Sequence, residues 1–450
     1  MFFFSAINGT IEQKQKGGAR MNQTIEEKVF KDPIHGYIRV TDLLIWELIK
    51  SPEFQRLRRI KQLGGTHIIY STAEHSRFSH SLGVYHISRR MIDILKKEGA
   101  VLSDHERMLT LCAALLHDLG HGPYSHSFEI VLGIDHEDFT RRVILEETNV
   151  YKLLEEYKPG FAFEVSQVIE KTHPNRLIVS LISSEIDADR LDYLLRDSYF
   201  TGAPYGEIDL ERILRTMRIE NDRIVFKYSG MHAIEDYLFS RYQMYWQVYL
   251  HDLSLSFNFI IKSMLLRIKN LLSKNFDFKF DMALFRDLFL TENIDINTYL
   301  QMDDGVITTF AGFFVNSGDT VLSDLAQRFL NRGLFDEFEY IPSAASGKLI
   351  ESLKLELKDS GLDTDFYFFT EHHSQSTYQF GLCAEESICL LMPGSDVREI
   401  SDVSDIIKGI VNAPKQKDTL FLPLEMIKKL DGAMRIFGIL EEIVGRNVDV

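Results

Sequence analysis

Leu116-His117-Asp118-Leu119-Gly120-His121-Gly122-Pro123-Tyr124-Ser125-His126 puts three histidines and an aspartate into eleven residues. Residues 108–116 run directly into it. They are apolar, of helical length and free of Gly and Pro, which predicts a buried helix. Gly120, Gly122 and Pro123 end that helix. The polar cluster therefore sits at a helix C-terminus, on a tight turn rooted in the core. Ionisable groups there are costly unless they bind something. Imidazole nitrogen with carboxylate oxygen is a donor set for a divalent metal.

The rest of the chain bounds what this cluster serves. A length of 450 residues allows a large core and two or three domains. The net charge of −16 argues against a nucleic-acid coat or an anionic membrane surface as the main partner. Cys112, Cys383 and Cys389 form no disulfide framework and fit a reducing cytoplasm. No apolar run reaches the roughly 20 residues a membrane helix needs. Residues 1–27 carry no signal-peptide pattern and read as a loosely ordered leader.

Residues 28–40 predict a small hairpin turning at Pro33 and Gly36. Thr41 then caps a helix bearing Leu43, Leu44, Trp46, Leu48 and Ile49. Residues 54–65 interleave Arg56, Arg58, Arg59 and Lys61 with apolar residues at helical spacing. In an acidic chain such a cluster suits phosphate groups, and equally a solvated helix face. Arg77 and His80, three apart, share one face at the start of another helix, where a helix N-terminus also favours anions. Asp189, Tyr193 and Asp197 recur every four residues along one helical face. Further helices are expected over 234–249, 257–272, 282–290, 299–314 and 321–330. After residue 336 the texture changes. Residues 365–370 and 387–392 read as strands, and 403–411 and 424–430 as helices.

His80, then His117-Asp118, then Asp189 resembles the H…HD…D pattern of the HD-domain metal-dependent phosphohydrolases. Longer strings resemble one branch, the deoxynucleoside triphosphate triphosphohydrolases, and within it the catalytic core of the SAM-and-HD-domain dNTPases. They are Asp32-Pro-Ile-His-Gly36, Gln55-Arg-Leu-Arg58, Lys61-Gln-Leu-Gly-Gly65, Arg77-Phe-Ser-His-Ser-Leu-Gly83, His117 through His126, and Ile186-Asp-Ala-Asp-Arg-Leu-Asp-Tyr193. The resemblance implies a mainly α fold: an HD-domain helical core over 28–335, with a smaller C-terminal α+β lobe over 336–450.

The same resemblance implies roles. His80, His117, Asp118 and Asp189 would hold a divalent metal, and Mg, Mn, Fe or Zn all suit two imidazoles with two carboxylates. Catalysis would fall to His121, His126, Glu129, His136 and Glu137, with His126–Glu129 and His121–Glu137 as imidazole–carboxylate pairs and His126 as acid to the leaving oxygen. Arg77, Arg190 and Arg241 would clamp a triphosphate with help from Tyr193. Gln62, Leu63 and Asp197 would select the sugar, and Tyr249 would lie beside the base. An activating dNTP would bind Lys28, Val29, Gln55 and Arg58 between subunits of a homotetramer. Lys50 stands where the family reads guanine with an aspartate. Two other readings compete with dNTP hydrolysis: an HD phosphohydrolase acting on another nucleotide, and a non-catalytic nucleotide sensor.

Overall fold

Ser103 starts the helix Asp104–Leu116 with a reciprocal cap. Its hydroxyl accepts from the Glu106 amide, and the Glu106 carboxylate accepts from the Ser103 amide at 2.9 Å. Every residue of 108–116 is buried. This helix packs against the helices Arg77–Lys97, Phe161–Ile169 and Arg176–Ile182. Each fully buried leucine there stabilises the fold by about 2 kcal/mol. The structure, a computed structural model, describes residues 23–375, 387–411 and 415–448. It is mainly helical with small sheets.

Two further elements complete the frame around His117. The helix Arg77–Lys97 carries His80 in its first turns. The helix Ala188–Thr201 carries Asp189, is capped by Asp187 accepting from the Arg190 amide at 2.8 Å, and ends at left-handed Gly202. These two helices pack closely because Gly83 faces Asp192. A Cβ at Gly83 would overlap the Asp192 carboxylate and the Arg196 guanidinium, both buried. Gly83→Ala is therefore expected to cost about 3 kcal/mol, read as a lower denaturant midpoint.

An N-terminal hairpin lies beside this frame. Strands Gln23–Asp32 and Gly36–Asp42 pair antiparallel, with Asp32 opposite Gly36. The first strand thus reaches back inside the expected leader; residues 1–22 lie outside the described residues. The following helix, Leu43–Lys50, has Asp42 at its cap position rather than Thr41, and the Asp42 carboxylate is engaged by Arg107 instead.

Elsewhere the structure departs from the periodicity reading in specific ways. Residues 54–65 do not form one helix: Pro52–Arg56 gives way to 3-10 turns at Leu57–Arg59 and Gly64–Ile68. The expected helix over 299–314 divides into Ile296–Tyr299 and Asp304–Phe314, because the Asp303 side chain accepts from the Val306 amide and starts a new helix. The aromatic helix Met231–Met244 continues as a π-helical turn, Tyr245–Tyr249.

After residue 336 the chain alternates strands and helices. Asp336–Tyr340 and Phe369–Gln375 flank Lys415–Leu422 in an antiparallel sheet. Cys389–Leu391 joins Arg223–Lys227 in parallel, so this region shares a sheet with the helical part. Residues 365–370, expected as a strand, split into the short helix Thr364–Tyr367 and the start of Phe369–Gln375. Among the described residues no helix is long and apolar enough to cross a membrane.

Candidate metal centre and phosphate clamp

The three helices bring four side chains to one point. His80 Nε2 lies 2.9 Å from Asp189 Oδ1, and His117 Nε2 lies 3.6 Å from the same oxygen. Asp118 approaches His117 Nε2 at 3.4 Å and His80 Nε2 at 3.9 Å. Donor atoms about 2.1 Å from a shared cation stand about 3 Å apart when adjacent, so these separations fit one. The buried His117 Nε2 has no hydrogen-bond partner, as expected of a lone pair aimed at an ion.

The far side of each ring is fixed. His117 Nδ1 donates to the Ala114 carbonyl at 2.9 Å. His80 Nδ1 donates to Asp192 Oδ2 at 2.8 Å. Both bonds leave Nε2 as the ligating nitrogen. Burial opposes charge on His80, but its hydrogen bonds to Asp189 and Asp192 prevail and raise its pKa to about 10. Burial would likewise push Asp118 up, yet Arg77 beside it holds its carboxyl well below the usual range.

Next to this centre the turn carrying His121 is braced on several sides. Tyr299 donates to the Gly120 carbonyl at 2.6 Å. Thr140 accepts from the Gly120 amide at 2.9 Å, and a Cβ at Gly120 would strike the backbone at His136 and Thr140. Tyr124 and Ser125 hold positive φ of 53° and 46°. Consecutive left-handed non-glycine residues are strained, and here Asp304 Oδ1 accepts from the Tyr124 amide while Ser125 Oγ accepts from Arg77.

Glu129 bridges two stacked imidazoles along their edge. Its oxygens take His121 Nδ1 and His136 Nδ1, each at 3.2 Å, and the ring centroids are 3.8 Å apart. The pairing expected from the sequence is thus corrected: His121 meets Glu129 rather than Glu137. Glu137 is exposed on the first turn of helix His136–Leu145, whose first residue, not its second, is turned toward Glu129. The His126 side chain lies outside the described residues. Burial and Arg77 lower the pKa of His121, whereas Glu129 raises that of His136 against its burial. Two neighbouring rings with pKa values pushed apart can serve as proton acceptor and donor.

The three arginines are held by carboxylates. Arg77 donates to Asp118 at 2.6 Å, and its Nε has no hydrogen-bond partner. Glu185 bridges the other two, with Oε2 2.7 Å from Arg241 and Oε1 3.1 Å from Arg190. Asp197 accepts from Tyr249 at 2.8 Å and from His75 at 2.7 Å. Tyr193 and Tyr249 meet edge to face at 6.2 Å. Leu63 packs against the core beside Gln62, whose buried Oε1 is unpartnered.

The basic stretch 56–61 is largely committed elsewhere. Arg56 is fully buried and donates to the carbonyls of Met302 and Leu119, so it takes no part in phosphate binding. Arg58 lies 3.5 Å over the Phe78 ring and donates to Gln55. Lys28 and Lys50 each lie 5.9 Å from the Trp46 ring, and Phe30 contacts both Trp46 and Phe78. Lys28, and Arg58 with its partner Gln55, therefore border one aromatic patch, while Val29, between Lys28 and Phe30 on the strand, is exposed on the alternate face. Sequence reading left His75, Glu185, Asp192 and Arg196 without roles. Asp192 and His75 lie in or beside the matching strings, which were the available signal.

Residues 77–197 match the HD domain model, and residues 208–358 match the HD associated region. The chain is 47% identical to the uncharacterized protein YwfO of Bacillus subtilis, over 89% of this chain and 93% of that one. The chain belongs to the HD-domain phosphohydrolase family. Its HD core is also 32% identical to the deoxynucleoside triphosphate triphosphohydrolase SAMHD1 homolog of Dictyostelium discoideum, over 52% of this chain and 48% of that one. The chain thus spans about half the length of that relative. A phosphohydrolase crystal structure from Bacteroides thetaiotaomicron superimposes with a TM-score of 0.79 at 30% identity, covering 88% of this chain and all of that one. The HD core is that of a metal-dependent phosphohydrolase, built like the core of the SAMHD1 enzymes.

Proposed function

We propose that this chain is a dNTP triphosphohydrolase that converts a deoxynucleoside triphosphate and water to a deoxynucleoside and triphosphate. The reading is supported by the grouping of His80, His117 and Asp189, with Asp118 3.4 Å from His117 and bonded to Arg77, and by Arg190 and Arg241 sharing Glu185. Three guanidiniums suit a polyphosphate better than a monophosphate. The names of the SAMHD1 relatives support the same substrate class. Residues 28–335 form the catalytic unit and 336–450 the accessory lobe.

A bound divalent cation supplies charge neutralisation and polarises a phosphoryl oxygen. The chain's own residues do the rest. Arg77, Arg190 and Arg241 hold the phosphates, with the Tyr193 hydroxyl beside them. Asp197, oriented by His75 and Tyr249, accepts from the sugar 3′-hydroxyl, and Leu63 with Tyr193 closes the space a 2′-hydroxyl would need. His121 and His136, both bonded to Glu129, hold the exchangeable protons. As water attacks the α-phosphorus and the bond to the 5′-oxygen breaks, His126 protonates that oxygen. Lys28, Val29, Gln55 and Arg58 form an activating dNTP site in a cytoplasmic homotetramer.

The test is a product assay. Incubation with each dNTP plus Mg²⁺ or Mn²⁺ is expected to yield deoxynucleoside and triphosphate, and incubation with each rNTP to leave the nucleotide intact. Monophosphate plus pyrophosphate would overturn the reading. Metal uptake has its own pH signature. Metal-free His80 titrates at about 10 and must be neutral to ligate. Binding at neutral pH is therefore expected to expel protons, and affinity to rise with pH toward that value. Titration calorimetry in buffers of different ionisation enthalpy counts the protons released.

A further inference from the structure

The turn of the N-terminal hairpin is wired into the centre of the fold. Asp32 Oδ1 accepts from the amides of Ile34 and His35, both at 2.9 Å, and so shapes the turn. Its other oxygen takes Arg196 at 2.8 Å. His35 then reaches inward, and its Nε2 lies 2.6 Å from Asp192 Oδ1. The same carboxylate holds His80 through Oδ2 and is gripped by Arg196 at 2.8 and 2.9 Å. The side chains of His35, His80, Asp192 and Arg196 are at most 2% exposed.

We propose that His35 is a positioning residue for the cation site, orienting Asp192 and through it His80, so that hairpin docking and metal binding are coupled. This inference rests on the metal reading above. An ionised carboxylate only accepts hydrogen bonds. Asp192, seated between two imidazoles, therefore requires a proton on His35 Nε2 and on His80 Nδ1. The second requirement leaves His80 Nε2 facing Asp189. Asp192 also rests against bare backbone at Gly83, on the His80 helix itself. Without His35, Oδ1 keeps only Arg196, and the carboxylate is free to turn away from His80. Partners that orient a metal-binding histidine are worth about 10- to 100-fold in metal affinity. By reciprocity, a cation on His80 steadies the hairpin to the same degree.

The probe is Mn²⁺, with affinity read by calorimetry and hairpin order by amide hydrogen exchange over 28–40, on the full chain. Wild type is expected to bind Mn²⁺ and gain protection over the hairpin. His35→Ala should bind about 10- to 100-fold more weakly and show no Mn²⁺-dependent protection. His35→Gln, which keeps a donor at that reach, should recover most of both. If the alanine variant fails to fold, His35→Asn, too short to reach Asp192, replaces it. Unchanged Mn²⁺ affinity in His35→Ala or His35→Asn, or equal weakening in His35→Gln, overturns the proposal and leaves the metal reading standing. A wild-type chain that binds Mn²⁺ no better than His117→Ala overturns the metal reading, and this inference with it.

Discussion

His117→Ala is expected to abolish metal uptake and hydrolysis together, with kcat falling about 10³-fold or more, which corresponds to several kcal/mol of lost charge stabilisation. His117 is a cleaner target than Asp118. Removing Asp118 would strand buried Arg77, whereas the His117 ring donates only to the Ala114 carbonyl and offers its free Nε2 to the centre. Its loss removes that hydrogen bond, worth about 1 kcal/mol, together with the ring's packing and its contacts to Asp118 and Asp189, read as a lower denaturant midpoint. Metal content by elemental analysis, product formation and a denaturation curve separate the two effects. Activity persisting at wild-type level without bound metal would contradict the assignment.

The second large effect is structural. Asp192→Ala removes the one carboxylate shared by His35, His80 and Arg196, and leaves Arg196 with Asp32 alone. Arg196 is fully buried, and burial disfavours its charge while Asp192 restores it. Stripping the counter-ion from such a group costs about 3–5 kcal/mol, a large part of a typical domain's stability. The denaturant midpoint should fall accordingly with an unchanged slope. Asp192→Asn, which keeps one acceptor but not the charge, should fall between wild type and alanine.

The parts of this molecule legible in the sequence are those where local pattern and tertiary role coincide. Residues 108–116 are apolar at helical length, and all of them are buried in the helix they complete. Asp189, Tyr193 and Asp197 share a helical face and stay together in space. What the sequence hid were choices made at long range. Arg56 looks like its basic neighbours, but its partners are carbonyls at Leu119 and Met302, so its burial has no local mark. The resemblance pairs His121 with Glu137. The left-handed turn at Gly133 folds the two short helices back so that Glu129 reaches the Nδ1 atoms of both His121 and His136. Asp303 breaks a helix that hydropathy alone would continue.

Glu185 gives the resting state its character. With no anion present, Arg190 and Arg241 would repel each other across a confined space, and this tethered carboxylate cancels that repulsion. On the proposed function, a polyphosphate would have to displace this internal surrogate, so only a ligand with enough charge to outcompete it would settle in. The same surrogate, never farther away than its own side chain, reclaims the guanidiniums when the ligand loosens. On that proposal turnover would run as an exchange of counter-ions, with neither half-step exposing bare positive charge.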